Sequence, residues 1–211
     1  IEEKDDNVTH SNFFRLVDLI SKNANRIDNS ILAVDLPLII RSGLARFPDE
    51  QGTLWVALAD YYIRKGLFEK AVEIYEEGID TVLTVADFSI IFDSYQNFLE
   101  LLLTSKSEAD DTNWEIERLE LLIDRRDEML SSVILRGNPN NVSEWIKRTK
   151  LPRISQDPDL VVQTFLDAIA AVDPLAVQPL GRVSSLWIEF GKYYLSLDEV
   201  ANFRATMTQA V

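Results

Sequence analysis

Cysteine is absent from this sequence of 211 residues, and histidine occurs once, as His10. Without cysteine the chain can form no disulfide framework, no thiolate zinc site and no cysteine nucleophile, and an intracellular setting is favoured. A single histidine also excludes a multi-histidine metal site and a histidine-based catalytic pair within the chain. The sequence therefore predicts a protein without a metal ion or a cofactor.

Basic residues and long apolar runs are scarce as well. The chain has 35 Asp and Glu residues against 21 Lys and Arg, and its formal net charge of −14 repels phosphate backbones over most of the surface. Its apolar runs, such as residues 133–135 or residues 99–103 with a glutamate inside, are far shorter than the ~20 residues of a membrane-spanning helix. No Gly-rich phosphate loop or nucleophile elbow is recognisable, so we expect neither a membrane span nor an enzyme.

Glycine and proline occur seven times each, and dense alternating runs of Val, Ile and Thr are missing, which favours an all-α chain. The clearest helical pattern is LWVALADYYIRKGLFEKAVEIYEEGI, residues 54–79. Trp55, Ala59 and Tyr62 recur at helical spacing before Gly66, a residue that readily takes the positive φ that ends a helix. Because the apolar spacing resumes after this glycine, the stretch predicts a helical hairpin.

One hairpin cannot bury two wide apolar faces, so further copies should stack on it. Equivalent positions mark first helices at intervals of 41, 36, 54 and 42 residues: Phe14, Trp55, Ile91, Trp145 and Trp187. The other positions expected to form the structural framework of the repeats are Ala59, Tyr62, Gly66, Ala71, Tyr75, Tyr95, Phe98 and Tyr194. The sequence therefore predicts an α-solenoid of about five antiparallel helix pairs.

The expected organisation is a short acidic segment followed by the repeat array, as a piece of a longer protein. Residues 1–12 are polar and should be frayed, whereas residues 13–211 form the array. The units are expected at about 13–47, 53–80, 84–136, 141–172 and 184–211. Residues 105–113, SKSEADDTN, lack apolar periodicity and should form an acidic, solvated insertion within the third unit. Their spacing does not match that of a calcium-binding loop.

Short local signals predict several helix ends. Thr84 with Asp87, and Asn141 with Glu144, have the spacing of capping boxes. Asp157 precedes a proline at the first position of another helix. Between these signals one long helix is expected from about residue 114 to 135. Its expected buried stripe is Ile116, Leu119, Ile123, Leu130, Val133 and Ile134.

The last unit departs from the pattern at two positions. Trp187 lies 132 residues after Trp55, and the same interval puts Asp198 in the place of Gly66. It also puts Phe203 in the place of the small residue Ala71. We therefore expect the final hairpin to pack differently from the others.

Four basic residues stand together near the end of a predicted first helix and in the loop after it: Lys147, Arg148, Lys150 and Arg153. Basic side chains near a helix C-terminus ordinarily offset the helix dipole. Contact with an RNA phosphate or with an acidic partner is the alternative interpretation, because the cluster is isolated on an acidic chain. The aromatic residues lie at repeat positions and are interpreted as core, since base stacking needs exposed rings beside a basic groove.

A first helix with a tryptophan and a later aromatic residue, followed by FEKA and IYEE in the second helix, resembles the HAT (half-a-TPR) repeat of RNA-processing proteins. Residues 54–100 as a whole resemble the SYF-type, XPA-binding family of pre-mRNA splicing factors. IIRSGLARF, RGNPNNVSEW, and AVDPLAV before SLWIEFGKYY resemble the same family in the same order. The resemblance covers most of residues 13–200.

This resemblance implies a non-enzymatic protein–protein scaffold in the nucleus, as a subunit of the spliceosomal Nineteen complex. It implies protein partners, among them a crooked-neck-type HAT protein and a Myb-domain splicing factor, and no small-molecule substrate. The alternative function is that of a helical-repeat protein that contacts RNA in another RNA-processing complex. Loss of RNA binding after neutralisation of the four clustered basic residues would favour that alternative.

Overall fold

The structure is a computed structural model that describes residues 2–22, 36–105, 113–175 and 181–210. All regular secondary structure in these residues is helical, which confirms the all-α prediction. The helices are α1 (Glu2–Lys22), α2 (Leu36–Arg46), α3 (Gln51–Arg64), α4 (Phe68–Thr81), α5 (Val85–Ser105), α6 (Asn113–Asp124), α7 (Arg126–Gly137), α8 (Val142–Arg148), α9 (Pro152–Ser155), α10 (Pro158–Ala171), α11 (Val183–Ser196) and α12 (Val200–Gln209), with a 3-10 turn at Pro48–Glu50.

The chain divides into two compact units, Ile1–Ile123 and Asp124–Val211, called unit 1 and unit 2 below. Unit 1 holds α1 to α6, apart from the last residue of α6, and unit 2 holds α7 to α12. In the described ranges, no helix combines the length and the apolar character that crossing a bilayer requires.

In unit 1, helix α3 is central and packs against α1, α2, α4 and α5. The predicted hairpin is formed by α3 and α4, and Gly66 joins them with a φ of +72°. The Gly66 N–H donates to the carbonyl of Ile63, and the Leu67 N–H donates to that of Tyr62 at 2.9 Å. These bonds satisfy carbonyls at the end of α3, so the glycine ends the helix as its sequence position predicts.

The contact between successive repeats is made where three helices meet at Gly78 of α4. A Cβ atom at this position would lie 3.0 Å from Cγ of Trp55 on α3 and 3.1 Å from Cδ1 of Ile91 on α5. Trp55 is 4% exposed and Ile91 is fully buried. The missing side chain of Gly78 therefore allows the indole and the isoleucine to pack directly on the backbone of α4.

A second inter-repeat contact joins the start of α3 to the start of α5 through Asp87. The Asp87 N–H donates to Oγ1 of Thr84 at 3.1 Å, and the Thr84 hydroxyl donates to Oδ2 of Asp87 at 2.6 Å. Oδ1 of Asp87 accepts the backbone N–H of Gly52 at 2.8 Å. Asp87 thus takes part in capping α5 and binds a free N–H of α3, and the predicted cap is confirmed.

Unit 2 has two apolar clusters, formed by residues of α8 to α11. One consists of Val142, Ala168, Val172 and Leu186, and the other of Ile154, Val161, Phe165 and Phe190. The predicted helix starts are confirmed. Oδ1 of Asn141 accepts the N–H of Glu144 at 3.1 Å, and Oδ1 of Asp157 accepts that of Asp159 at 3.0 Å. The buried face of α10 and its C-terminal end includes four residues that are at most 5% exposed: Val161, Phe165, Ala168 and Val172.

The last hairpin, α11 and α12, adapts to its two unusual residues. Asp198 has a φ of +59°, and among the described residues it is the one non-glycine residue in this conformation. Asp198 therefore adopts the turn geometry of Gly66, which short polar residues tolerate better than most. Phe203 is accommodated because Gly191 faces it: a Cβ atom at Gly191 would lie 3.1 Å from the Phe203 ring and 2.4 Å from Cε of Met207. Gly191 occupies the position of Ala59, 132 residues later.

Two expectations are corrected by the helix bounds. Helix α1 begins at Glu2, so residues 2–12 are helical and not a frayed segment; their acidic composition suits a helix N-terminus. The long helix expected from 114 to 135 is two helices, with a turn at Arg125. Ile116 and Ile123 are 43% and 51% exposed, so their assignment to the buried stripe is wrong. The predicted stripe assumed one continuous helix, whereas the turn at Arg125 separates α6 from α7 and changes which side chains face the core.

Other sequence-based boundaries fall partly outside the described residues. Helix α5 ends at Ser105 and α6 begins at Asn113, so residues 106–112 of the expected acidic insertion lie outside the described residues. The same holds for residues 23–35 of the first expected unit and for 176–180 of the connector before the last unit. The expected limits of the five units stay predictions.

The pairing of Gly191 with Phe203 can be tested by a double-mutant cycle. Phe203→Ala should destabilise the protein by about 2 kcal/mol through lost packing. Gly191→Ala should be unfavourable beside Phe203 but gain helix propensity once the ring is gone, because the pair then matches Ala59 and Ala71. We expect a favourable coupling free energy of at least ~0.5 kcal/mol between the two substitutions, measured by urea denaturation.

The matched control is Gly191→Ala combined with Ser184→Ala, an exposed residue seven positions earlier in the same helix. These two substitutions should be additive within about 0.3 kcal/mol. If the free-energy changes are additive in the Gly191–Phe203 cycle as well as in the control cycle, Gly191 does not compensate for Phe203.

Candidate protein-interaction surface

In unit 1, two adjacent glutamates on α4 reach in opposite directions along the repeats. Glu77 receives two hydrogen bonds from the guanidinium of Arg41 on α2, at 2.6 and 2.7 Å. Glu76 pairs with Arg118 on α6. The Arg41 guanidinium also lies over the Trp55 ring, 5.7 Å from its centroid. Second helices of neighbouring repeats are thereby linked by ion pairs on the outside of the apolar contact.

These two ion pairs are half-exposed, so they affect the pKa of their own groups but add little stability. The bidentate hydrogen bonds from Arg41 lower the pKa of the Glu77 carboxyl below its usual value. Side-chain exposures of 38% to 46% across both pairs mean that water screens them, so each contributes no more than about 1 kcal/mol. Their geometry favours one register of the helices more than it adds stability.

Behind the ion pairs lie two stacked tyrosines. The rings of Tyr75 on α4 and Tyr95 on α5 are 5.0 Å apart and nearly parallel, and each residue is 1% exposed. The Tyr75 hydroxyl lies 3.0 Å from that of Ser94, and Nε of Arg118 donates to the Tyr95 hydroxyl at 3.2 Å. Burial raises the pKa of each phenol to about 12. Both phenols are therefore neutral while they pack in the contact between α4 and α5.

The framework residues proposed from the sequence occupy three kinds of environment. Seven are buried: Trp55, Ala59, Ala71, Tyr75, Ile91, Tyr95 and Phe98. Five are partly buried: Phe14, Tyr62, Trp145, Trp187 and Tyr194. Gly66 lies in the exposed turn between α3 and α4. The Trp145 indole N–H donates to the Pro139 carbonyl at 2.8 Å, and Trp187 packs against the cluster around Phe165.

The basic cluster of unit 2 is largely engaged by its own unit. Arg148 is half-buried, and its Nη1 donates to the Glu128 carbonyl at 3.1 Å and to Oγ of Ser132 at 2.9 Å. Burial lowers the pKa of the Arg148 guanidinium. Lys147 lies 3.7 Å from a carboxylate oxygen of Glu144.

The other two basic residues differ from each other. Arg153, on α9, lies 3.6 Å from a carboxylate oxygen of Glu128. Lys150 is exposed and forms no ion pair with a described residue. The four residues therefore do not present four free cations to a phosphate chain, and Arg148 serves to tie α8 to α7. Contact of this cluster with RNA or a partner stays a prediction.

The described surface includes two clefts beside the residues discussed above. The larger, about 530 Å³, lies in unit 1 between the α3–α4 turn and the start of α6, and is called the turn cleft below. It is lined by Gly66, Leu67, Phe68, Glu69, Lys70, Glu73 and Trp114. The smaller, about 270 Å³, lies in unit 2 beside Arg148 and Arg153, with Glu128 and Asp167 also in its lining. Among the described residues no group of three His, Cys, Asp or Glu side chains is placed to hold a metal ion.

Sequence reasoning did not find the turn cleft or the ion pairs of α4. One signal for the ion pairs exists: Arg41 and Glu77 are 36 residues apart, the interval between Trp55 and Ile91. Residues one repeat apart on second helices are candidates for such contacts. The cleft has no comparable signal, because it depends on where α6 begins after residues 106–112.

The tyrosine pKa values predict a loss of stability at high pH. An unfolded tyrosine titrates near pH 10, whereas Tyr75 and Tyr95 hold their protons to about pH 12. The free energy of unfolding should be unaffected by these groups below about pH 10. Between about pH 10 and 12 each group should reduce it by up to about 1.4 kcal/mol per pH unit.

Urea denaturation at several pH values, with absorbance at 295 nm to follow phenolate formation, measures this effect. Tyr75→Phe combined with Tyr95→Phe should reduce the slope of stability against pH. Tyr61→Phe is the control on the neighbouring helix. An unchanged slope in the double variant would contradict the assignment.

Comparison with known proteins gives a consistent result. Residues 2–172 match the sequence model described as the middle HAT repeat of pre-mRNA-splicing factor SYF1. The chain is 39% identical over 212 residues to a pre-mRNA-splicing factor syf1 of Neurospora crassa, with 93% of this chain and 25% of that protein covered. It is 41% identical over 207 residues to a Drosophila melanogaster homologue, covering 92% and 22%.

It is also 40% identical over 206 residues to the human pre-mRNA-splicing factor SYF1, covering 92% of this chain and 23% of the human protein. The chain thus spans about a quarter of the length of these relatives.

Proposed function

Since the chain belongs to the SYF1 family of pre-mRNA-splicing factors, we propose that it is a non-enzymatic scaffold that holds protein subunits of the splicing machinery together in the nucleus. Family membership also confirms the predicted fold class, an α-solenoid of HAT-type helix pairs. The proposed partners are subunits of the Nineteen complex and the spliceosome, including a crooked-neck-type HAT protein and a Myb-domain splicing factor.

The observation that carries this proposal is the way the polar residues are used. Arg41, Glu76, Glu77 and Arg118 link helices to one another, and Asp87 joins the start of α5 to the start of α3. These five charged residues thus serve to fix the relative positions of helices. A protein whose polar contacts hold its helices in register is suited to present several surfaces at set distances.

Co-purification is the direct test. An affinity-tagged form of this chain, added to nuclear extract, should recover the crooked-neck-type and Myb-domain subunits, identified by quantitative mass spectrometry. Gly78→Leu should reduce recovery at least fivefold, because a large side chain would separate Trp55 and Ile91 and loosen the repeat contact. The exposed substitution Asp80→Leu, on the same helix, is the control and should leave recovery within twofold. Recovery of neither subunit by the unmodified chain would contradict the scaffold proposal.

The alternative function, direct RNA contact, is tested in a separate experiment, and the scaffold proposal predicts its outcome. Neutralising Lys147, Lys150 and Arg153 to Gln should leave RNA binding unchanged within twofold, since two of these cations already lie beside carboxylates and the net charge is −14. Electrophoretic mobility shifts with single-stranded RNA at 50 and 200 mM salt measure this. Arg148 is kept because it holds α8 against α7. Salt-sensitive RNA binding that is lost in the triple variant would favour the alternative.

A further inference from the structure

The turn cleft of unit 1 has an apolar floor of partly exposed side chains. Leu67 is 49% exposed, Phe68 40% and Trp114 42%. Phe68 touches the core on one side, with its ring 6.0 Å from that of Phe98, and lines the cleft on the other. A Cβ atom at Gly66 would meet no other atom within 4 Å, so the turn itself lies in open space. Large apolar side chains grouped in a concave site are typical of interaction surfaces.

The rim of the cleft is acidic. Glu69 and Glu73 lie in the lining, and Glu117 is one turn beyond Trp114 on α6. Lys70 is the single cation of the lining, and its ammonium lies 3.6 Å from the Glu73 carboxylate. Neither Glu69 nor Glu117 forms an ion pair or side-chain hydrogen bond with any residue that the structure describes. The rim therefore has an uncompensated negative charge next to an apolar floor.

We propose that the turn cleft binds a basic peptide segment of a protein partner, with an apolar side chain anchored against Phe68 and Trp114. This rests on the proposed scaffold function and adds a docking site with a defined chemistry. Lysine or arginine residues beside the anchor would pair with Glu69, Glu73 and Glu117 and be steered by the acidic chain. The anchor would bury the exposed parts of Leu67, Phe68 and Trp114. Buried aromatic residues at the centre of an interface typically supply much of the binding energy.

The charge of the rim decides between a peptide and a nucleic acid. A phosphate chain would meet three carboxylates and one cation that is already paired. The rigidity of the cleft favours binding as well. The Leu67 N–H is bonded to the Tyr62 carbonyl at 2.9 Å, and Ala71, one turn into α4, is fully buried against α3. The lining residues that belong to the α3–α4 hairpin, Phe68 among them, are therefore held in place before any partner arrives.

The test uses the whole chain and a fluorescein-labelled 16-residue helical peptide with lysines on one face and leucines on the other. Fluorescence anisotropy should show binding that weakens with salt. Trp114→Ser should weaken it at least tenfold, and so should Glu69→Gln combined with Glu73→Gln. The same peptide with glutamate for lysine should not bind, and the same peptide with serine for leucine should bind at least tenfold less tightly.

Matched controls separate the cleft from the overall charge of the chain. Asp80→Asn combined with Asp93→Asn changes the charge equally at exposed positions of α4 and α5, and Leu101→Ser removes an apolar side chain that is 67% exposed. Both control proteins should bind the peptide within twofold of the unmodified chain, and circular dichroism should show every variant folded. Equal losses in control and cleft variants would overturn the proposal, as would binding of the glutamate peptide or of single-stranded RNA at the same residues.

The peptide-binding experiment and the co-purification experiment can fail independently of each other. A cleft that does not discriminate between these peptides, in a chain that still recovers splicing subunits from nuclear extract, would refute the docking site alone. Peptide binding at the cleft without recovery of any subunit would refute the scaffold function and leave the site in place.

Discussion

Unit 1 depends on the approach of two side chains to one glycine. Trp55 and Ile91 come from different repeats and meet on the backbone of α4, where a Cβ atom at Gly78 would lie 3.0 Å from one and 3.1 Å from the other. Because protein interiors are packed as densely as organic crystals, no slack exists there to absorb a larger residue. The core of the α3–α4 hairpin is therefore completed by α5, and stability is shared between neighbours instead of belonging to one hairpin.

The polar contacts follow from that packing. Once α3, α4 and α5 meet at Gly78, the outward faces of the second helices lie close enough for Glu76 and Glu77 to reach cations on either side. Such half-exposed pairs add little free energy, yet a helix shifted by one turn would lose both of them. Asp87 differs because it is 4% exposed and bonded to the N–H of Gly52 on α3, so its loss would leave a buried donor unpaired. Apolar contacts thus supply the stability, and polar contacts select the register.

Local signals explain why much of the fold could be predicted from the sequence. The cap at Asp87, the turn at Gly66 and its counterpart at Asp198 each depend on a few neighbouring residues. Prediction failed where a distant contact or a change of helical phase decides the outcome. Ile116 was assigned to a stripe that assumed one helix through Arg125, and the break made the phase of α6 independent of α7. The turn cleft was missed because it brings together residues more than 40 positions apart.

The last hairpin shows which property the repeats hold constant. At the positions where α3 and α4 have the buried residues Ala59 and Ala71, α11 and α12 have Gly191 and Phe203 in contact, so a larger residue on one helix is matched by a smaller one on the other. This matching of side-chain size applies to residues packed between helices and not to residues on the outer surface. A residue such as Phe68, with two fifths of its surface exposed, realises only part of its burial energy on folding. The remaining apolar surface is free to stabilise a complex, which is how a repeat framework can keep one interior while its outer surfaces serve different partners.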